Sequence, residues 1–246
     1  MKLFIDSANL SEIETALQGG FVCGITTNPS LLSKEPKASY YEHLKKIVDL
    51  ANKYGGCYSL SIEVFTEDKN EIIKQAKQFI NELRYPHIAI KVHVSYKNQD
   101  NYQVIKTLSK EGIAVNCTAC MTPLQAAMAA AAGAKYVSLF CGRIRDGGQD
   151  LKFETARSKL LEEKVVEKSD FDPEQVIRET YELIKPYPNT EIIAGSMRSA
   201  LDIKKSALAG AHIVTASLKL LSPAMFHFKT NEVIEQFFND FQHWLN

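Results

Sequence analysis

The residues with the most chemistry to offer sit on short apolar runs. If Ile88-Ala89-Ile90-Lys91-Val92-His93-Val94 is a strand, its side chains face opposite ways in turn. Ile88, Ile90, Val92 and Val94 then share one face, and Ala89, Lys91 and His93 the other. A lysine held among apolar neighbours is costly unless paired or neutral, so Lys91 is read as functional. Most other lysines sit on the polar faces of helical patterns, where solvation accounts for them. The same alternation turns Asp6 inward on run 3–7, Thr26 and Asn28 on 24–28, and Ser59, Ser61 and Glu63 on 59–64. It turns Asn116 and Thr118 inward on 114–118, Ser138 with Phe140 on 136–140, and Ser196 beyond 191–194. One polar residue so placed signifies little. Many on one rim are hard to explain as structure, because buried polar groups need partners.

A lysine, two carboxylates and several hydroxyls point to amine catalysis. Burial lowers a lysine from a reference pKa near ~10.4. The neutral amine attacks a ketone and forms a Schiff base, an electron sink, while a carboxylate moves protons through a positioned water. Asp6 and Glu63 could instead hold Mg²⁺, but a lysine at the centre of the same rim weighs against it, and no metal or cofactor is expected. Arg143 and Arg198 lie just past runs 136–140 and 191–194. Paired guanidiniums suit a phosphate monoester through forked hydrogen bonds; singly, each also fits a surface ion pair.

These residues need elements to position them. Apolar runs at 3–7, 24–28, 59–64, 88–94, 114–118, 136–140, 191–194 and 213–217 alternate with amphipathic stretches such as 40–53, 69–83, 102–110 and 123–132. Gly112, Gly133 and Gly210 read as helix stops before strands. Alternating strand and helix mean a parallel sheet. Eight units of roughly 31 residues fit a (β/α)₈ barrel, whose active sites lie at the C-terminal ends of the strands and whose phosphate sites follow the later ones. The rival, a doubly wound open sheet, should carry a glycine-rich turn after its first strand; here that strand ends Asp6-Ser7-Ala8-Asn9. The expectation is therefore an α/β protein, one (β/α)₈ barrel domain over 1–246. Two stretches exceed the minimal barrel: a charged extension at 149–171, and a tail helix at 231–245 carrying Phe237, Phe238, Phe241 and Trp244. Such a face seldom stays in solvent; it packs on its own barrel or on a neighbouring subunit.

Composition narrows the function classes. The 246 residues hold 29 basic and 29 acidic side chains, a formal charge of zero. That argues against a general nucleic-acid binder and a polybasic membrane anchor. No apolar run approaches the roughly 18 residues of a membrane span, and the start Met1-Lys2-Leu3-Phe4-Ile5-Asp6 does not read as a signal peptide; a cytoplasmic protein is expected. Of the five cysteines at 23, 57, 117, 120 and 141, Cys117 and Cys120 form a C-x-x-C. No second pair completes a zinc site, so they read as ordinary thiols.

Phe4-Ile5-Asp6-Ser7-Ala8, Gly24-Ile25-Thr26-Thr27-Asn28-Pro29-Ser30 and Ser138-Leu139-Phe140-Cys141-Gly142-Arg143-Ile144 resemble the transaldolase family, whose small branch includes fructose-6-phosphate aldolases. The resemblance runs from Leu3 to the tail. It implies a cofactor-free class I enzyme on a (β/α)₈ barrel acting on sugar phosphates, as in the pentose phosphate pathway. By position, Lys91 matches the Schiff-base lysine and Asp6 the acid acting on the C4 hydroxyl. Glu63 and Thr118 match the pair holding a catalytic water. Asn28 and Asn116 match the amides orienting a dihydroxyacetone unit, and Ser138 and Phe140 line its pocket. Arg143, Ser196 and Arg198 match phosphate contacts. The aldolases resemble a glutamine at the position of Glu63 and a proton-donating tyrosine at that of Phe140, so this chain is of the transaldolase type. Small-branch relatives form pentamers and decamers, which implies a homo-oligomer.

Two features depart from the family pattern. The lysine is usually followed by proline, as in K-I-P or K-V-P; here His93 stands at that place, and it reads either as a spacer or as a substrate contact. Cys120-Met121-Thr122-Pro123 replaces a more aliphatic segment. The function expected is transfer of a dihydroxyacetone unit from sedoheptulose 7-phosphate or fructose 6-phosphate to an aldehyde phosphate. The alternatives are a fructose-6-phosphate aldolase, a paralogue for another anionic ketose such as 6-deoxy-6-sulfofructose, and a non-catalytic sugar-phosphate binding protein.

Overall fold

The computed structural model describes residues 1–37 and 39–245. Eight parallel strands close into a barrel: β1 (Lys2–Asp6), β2 (Gly24–Thr26), β3 (Ser59–Glu63), β4 (Ile88–His93), β5 (Ala114–Cys120), β6 (Tyr136–Phe140), β7 (Glu191–Gly195) and β8 (Ile213–Ala216). Each pairs with its sequence neighbours, and Lys2 opposite Ile213 closes the ring. The eight expected strands are present, with no end moved by more than two residues. Amphipathic helices cover the outside. Ile88, Ile90, Val92 and Val94 pack with Ile47, Ile72, Phe79 and Ile105 in one continuous apolar layer between barrel and helices.

Inside the barrel a smaller plug forms from Phe4, Ala89, Tyr136, Ile193 and Ile213. Gly24 makes room for it: a Cβ there would lie 2.4 Å from the Phe4 ring. Above the plug the inward side chains turn polar, which places the polar rim at the C-terminal ends of the strands.

The strand after Lys91 continues into a hairpin that sequence reasoning missed, Ser95–Tyr96 against Gln99–Asp100. Its turn, Lys97-Asn98, has φ values of 46° and 63°, a two-residue turn of the kind that matches strand twist. β5 runs two residues further than expected and is irregular between Cys117 and Cys120, where its register against β6 shifts. Ala119 sits there at φ 62°. The extension at 149–171 forms a further helix, Glu154–Glu162, between two single turns. The tail helix spans Phe228–Leu245. It starts three residues before the expected 231, and just ahead of it His227 Nδ1 accepts the Lys229 N–H at 3.2 Å. The helix does not fold back on its own barrel: Phe237, Phe238, Phe241 and Trp244 are 54–78% exposed. No helix among the described residues is long and apolar enough to cross a membrane.

Candidate active site

The mouth of the barrel holds a cavity of about 400 Å³. Asp6, Thr26, Asn28, Glu63, Lys91, Asn116, Thr118, Ser138, Phe140, Arg143 and Ser196 all line it. Thus eleven of the fifteen residues singled out from sequence meet in one space; Ser59, Ser61, His93 and Arg198 do not line it.

Lys91 is 5% exposed. Its Nζ donates to Glu63 Oε2 at 2.8 Å and to the Thr27 carbonyl at 2.8 Å. Glu63 and Lys91 are cross-strand partners in the β3–β4 register, so strand pairing itself aligns the amine with the carboxylate. The lysine that looked too costly to bury is therefore paired, while its nitrogen still opens on the cavity.

Asp6, at the end of β1, accepts a hydrogen bond from Thr26 Oγ1 at 2.8 Å. Thr26 Oγ1 in turn lies 2.6 Å from Thr215 Oγ1. Burial raises the Asp6 carboxyl above the ordinary carboxylate range, and the Thr26 hydrogen bond and the Lys91 charge offset this only in part. A buried carboxyl whose pKa is raised, beside a lysine, is suited to exchanging protons. Among the described residues, no three or more His, Cys, Asp or Glu side chains are placed to hold a metal ion.

A second chain of bonds fixes the amide. Ser138 Oγ donates to Asn116 Oδ1 at 2.7 Å, and Asn116 Nδ2 donates to Ser61 Oγ at 3.1 Å. Asn28 lies past the end of β2 rather than on it. Its side chain accepts the Leu31 N–H at 3.0 Å and caps the helix Pro29–Leu32, which holds it at the cavity wall. Thr118 Oγ1 is buried and has no hydrogen-bond partner among the described residues, although the residue lines the cavity. A buried hydroxyl without a protein partner is rare in a packed interior and marks Thr118 as a candidate functional group.

Ser196 was expected on the inward face of the seventh strand. It instead follows β7, at φ 59°, because Gly195 takes the inward position. Its carbonyl accepts the Gly142 N–H at 3.1 Å. A Cβ on Gly142 would lie 2.5 Å from that carbonyl and 2.6 Å from Arg198 Nε, so only glycine lets the two segments touch. Arg198 stands beside this contact, outside the cavity lining, with Nη2 2.8 Å from Asp146 Oδ2.

His93 differs from expectation. It shares the inward parity of Lys91 but lines a neighbouring cavity of about 340 Å³ with Glu67, Asp68, Tyr96, Lys97, Gln99 and Asn101. The hairpin draws it there: its ring meets Tyr96 edge-on at 6.4 Å, and its carbonyl accepts from Asn101 Nδ2 at 2.9 Å. Burial lowers its imidazole below the usual value, partly countered by Glu63 and Glu67.

Cys117 and Cys120 point away from the cavity, buried, with sulfurs 3.8 Å apart. Sequence reasoning missed Thr215 and the Thr27 carbonyl. Alternation along run 213–217 was the signal for Thr215; nothing in side-chain chemistry marks a carbonyl.

Comparison with known proteins agrees with this geometry. The family described as Transaldolase/Fructose-6-phosphate aldolase matches residues 3–245. A protein of Clostridium kluyveri named probable transaldolase is 36% identical over 242 residues, covering 98% of both chains. Proteins with the same name from Caldicellulosiruptor saccharolyticus and Lachnoclostridium phytofermentans are each 33% identical, over 98% of this chain and 97% and 98% of theirs. The chain belongs to the transaldolase/fructose-6-phosphate aldolase family.

Proposed function

We propose that this protein is a class I transaldolase that moves a dihydroxyacetone unit from a ketose phosphate to an aldehyde phosphate. The observation that carries the reading is the Lys91 amine, buried at a polar cavity and 2.8 Å from Glu63. Transfer of a proton to Glu63 frees the amine, which attacks the C2 carbonyl of the donor. Loss of the C2 oxygen as water leaves the Schiff base. Glu63, with a water held against Thr118 Oγ1, shuttles the protons of that step. Asp6 takes the proton of the C4 hydroxyl as the C3–C4 bond breaks, and the electron pair moves into the iminium to give an enamine on Lys91. The first aldehyde leaves, a second enters, and the steps reverse. Asn28, Asn116 and Ser138 hold the hydroxyls of the three-carbon unit, and Arg143, Ser196 and Arg198 take the phosphate.

Phe140 favours transfer over release of free dihydroxyacetone. It brings only carbon to the cavity, so nothing at that position protonates the waiting enamine. The uncovered apolar face of the tail helix supports a homo-oligomer, since such a face is stable when a neighbour covers it. Light scattering that reads a monomer mass would overturn that part alone.

The test of the activity is borohydride reduction with fructose 6-phosphate and no acceptor, read by peptide mass spectrometry. One dihydroxyacetone unit on Lys91 is the expected result. An absence of any Lys91 adduct with fructose 6-phosphate, sedoheptulose 7-phosphate and 6-deoxy-6-sulfofructose would overturn the reading in favour of a binding protein.

A further inference from the structure

We propose that Asp146 is a positioning residue that holds Arg143 and Arg198 as one fork for a phosphate group; this rests on the anion site assigned above. Asp146 lies on the helix Cys141–Gln149. A single oxygen of its carboxylate, Oδ2, faces both cations: 2.8 Å from Arg198 Nη2 and 3.7 Å from Arg143 Nη1. The two arginines come from different elements, one from this helix and one from the turn after β7. Like charges brought to one rim repel. A carboxylate between them offsets that repulsion; its hydrogen bond directs Arg198, and its ion pair draws Arg143 towards the same oxygen.

The rest of the turn is already fixed. The Ser196 carbonyl is held by the Gly142 N–H. The Arg198 N–H donates to Asp202 Oδ2 at 3.0 Å, and Asp202 Oδ1 accepts from Arg145 Nη2 at 3.0 Å. The Arg145–Asp202 pair thus ties the helix Cys141–Gln149 to the helix Ala200–Leu208. The backbone at Arg198 is pinned, and the free variable is where its long side chain points. Asp146 sets that variable. The side chains of Arg143, Asp146 and Arg198 are 65%, 40% and 52% exposed. Exposed pairs of this kind add little to stability, so the role lies in placement. An arginine whose rotamer is already chosen loses less freedom when it binds.

The test is titration of inorganic phosphate into the full-length protein, followed by steady-state kinetics. Asp146→Asn should weaken phosphate binding about tenfold, equal to about 1.4 kcal/mol at 25 °C. It should raise KM for fructose 6-phosphate by a similar factor, leave kcat within threefold, and move KM for unphosphorylated fructose less than twofold. Asp146→Glu keeps the charge and should recover at least half of the lost affinity. Equal or tighter phosphate binding by Asp146→Asn would overturn the proposal, since the carboxylate would then be a competitor for the fork. Equal rises in KM for fructose and its phosphate would overturn it too, since the role would then be structural. Failure of the transaldolase reading is separable: it appears as no borohydride adduct on Lys91, while the phosphate titration still reads the fork.

Discussion

Replacing Lys91 by methionine should abolish the reaction and leave the barrel folded, and the structure sets both magnitudes. Methionine keeps the length and the apolar stem but drops the ammonium, so the Glu63 carboxylate and the Thr27 carbonyl each lose a 2.8 Å donor. Breaking a fully buried ion pair costs about 3–5 kcal/mol, and breaking an exposed one about 0–1. The Lys91 side chain is 6% exposed, but that of Glu63 is 18% exposed and opens on a cavity of about 400 Å³. Water can therefore resolvate the carboxylate, and the cost falls near that of an unsatisfied polar group, about 1–3 kcal/mol. In a chain of this size each kcal/mol lowers Tm by about 2–4 °C, so Tm should drop by roughly 2–12 °C. The loss of activity is of another order. Deleting a covalent nucleophile elsewhere costs on the order of 10⁶-fold in kcat, so at least ~10⁴-fold is expected here. Calorimetry reads the first effect, and release of aldehyde phosphate reads the second. Turnover within tenfold of wild type would refute amine catalysis; a chain unfolded at 25 °C would refute the energetic reasoning.

Three further substitutions probe the neighbours of Lys91 and the turn proposed to bind phosphate. Glu63→Gln keeps an oxygen for the amine but cannot take its proton, so adduct formation in a single turnover should slow by about 10²–10⁴-fold; a rate within threefold of wild type would remove Glu63 from the relay. Asp6→Asn should trade activity for stability. Burial raises the Asp6 carboxyl above the ordinary value of 3.8, so between those two values the folded chain binds more protons than the unfolded one, and stability falls as pH rises through that window. The variant should therefore melt higher than wild type at pH 7, with the gap closing as pH falls to 3.8; a Tm gap that does not change with pH would contradict this. Gly142→Ala forces the Ser196–Arg198 turn outward, because its Cβ would lie 2.5 Å from the Ser196 carbonyl. Overpacking of this kind costs about 1–3 kcal/mol, and KM for a phosphorylated donor should rise more than tenfold; an unchanged KM would show the turn plays no part in anion binding.

Much of this was legible in the sequence because a strand has a period of two. That period alone put Asp6, Glu63, Lys91, Asn116, Thr118 and Ser138 on one side of five strands, and closure of the barrel brings them together. Departures occur where the backbone leaves that period. At Ala119 a positive φ without glycine lengthens β5 and shifts its register. Lys97-Asn98 turns a hairpin with neither residue a glycine, and the hairpin then draws His93 into a chamber of its own. Ser196 lies beyond the strand, not on it. Asp146 escaped notice because its role rests on Arg198, 52 residues away in the sequence.

The plug of Phe4, Ala89, Tyr136, Ile193 and Ile213 has a consequence for traffic. It stoppers the barrel at one end, so traffic to the chamber above it runs through the mouth at the C-terminal ends of the strands. Whatever a donor leaves behind has to go out the way the donor came in, and the next guest waits until the passage is clear. On the proposed reaction the architecture acts as a turnstile: first product out, second substrate in. The order of events is then set by the shape of the vessel as well as by the lifetime of what is bound to its lysine.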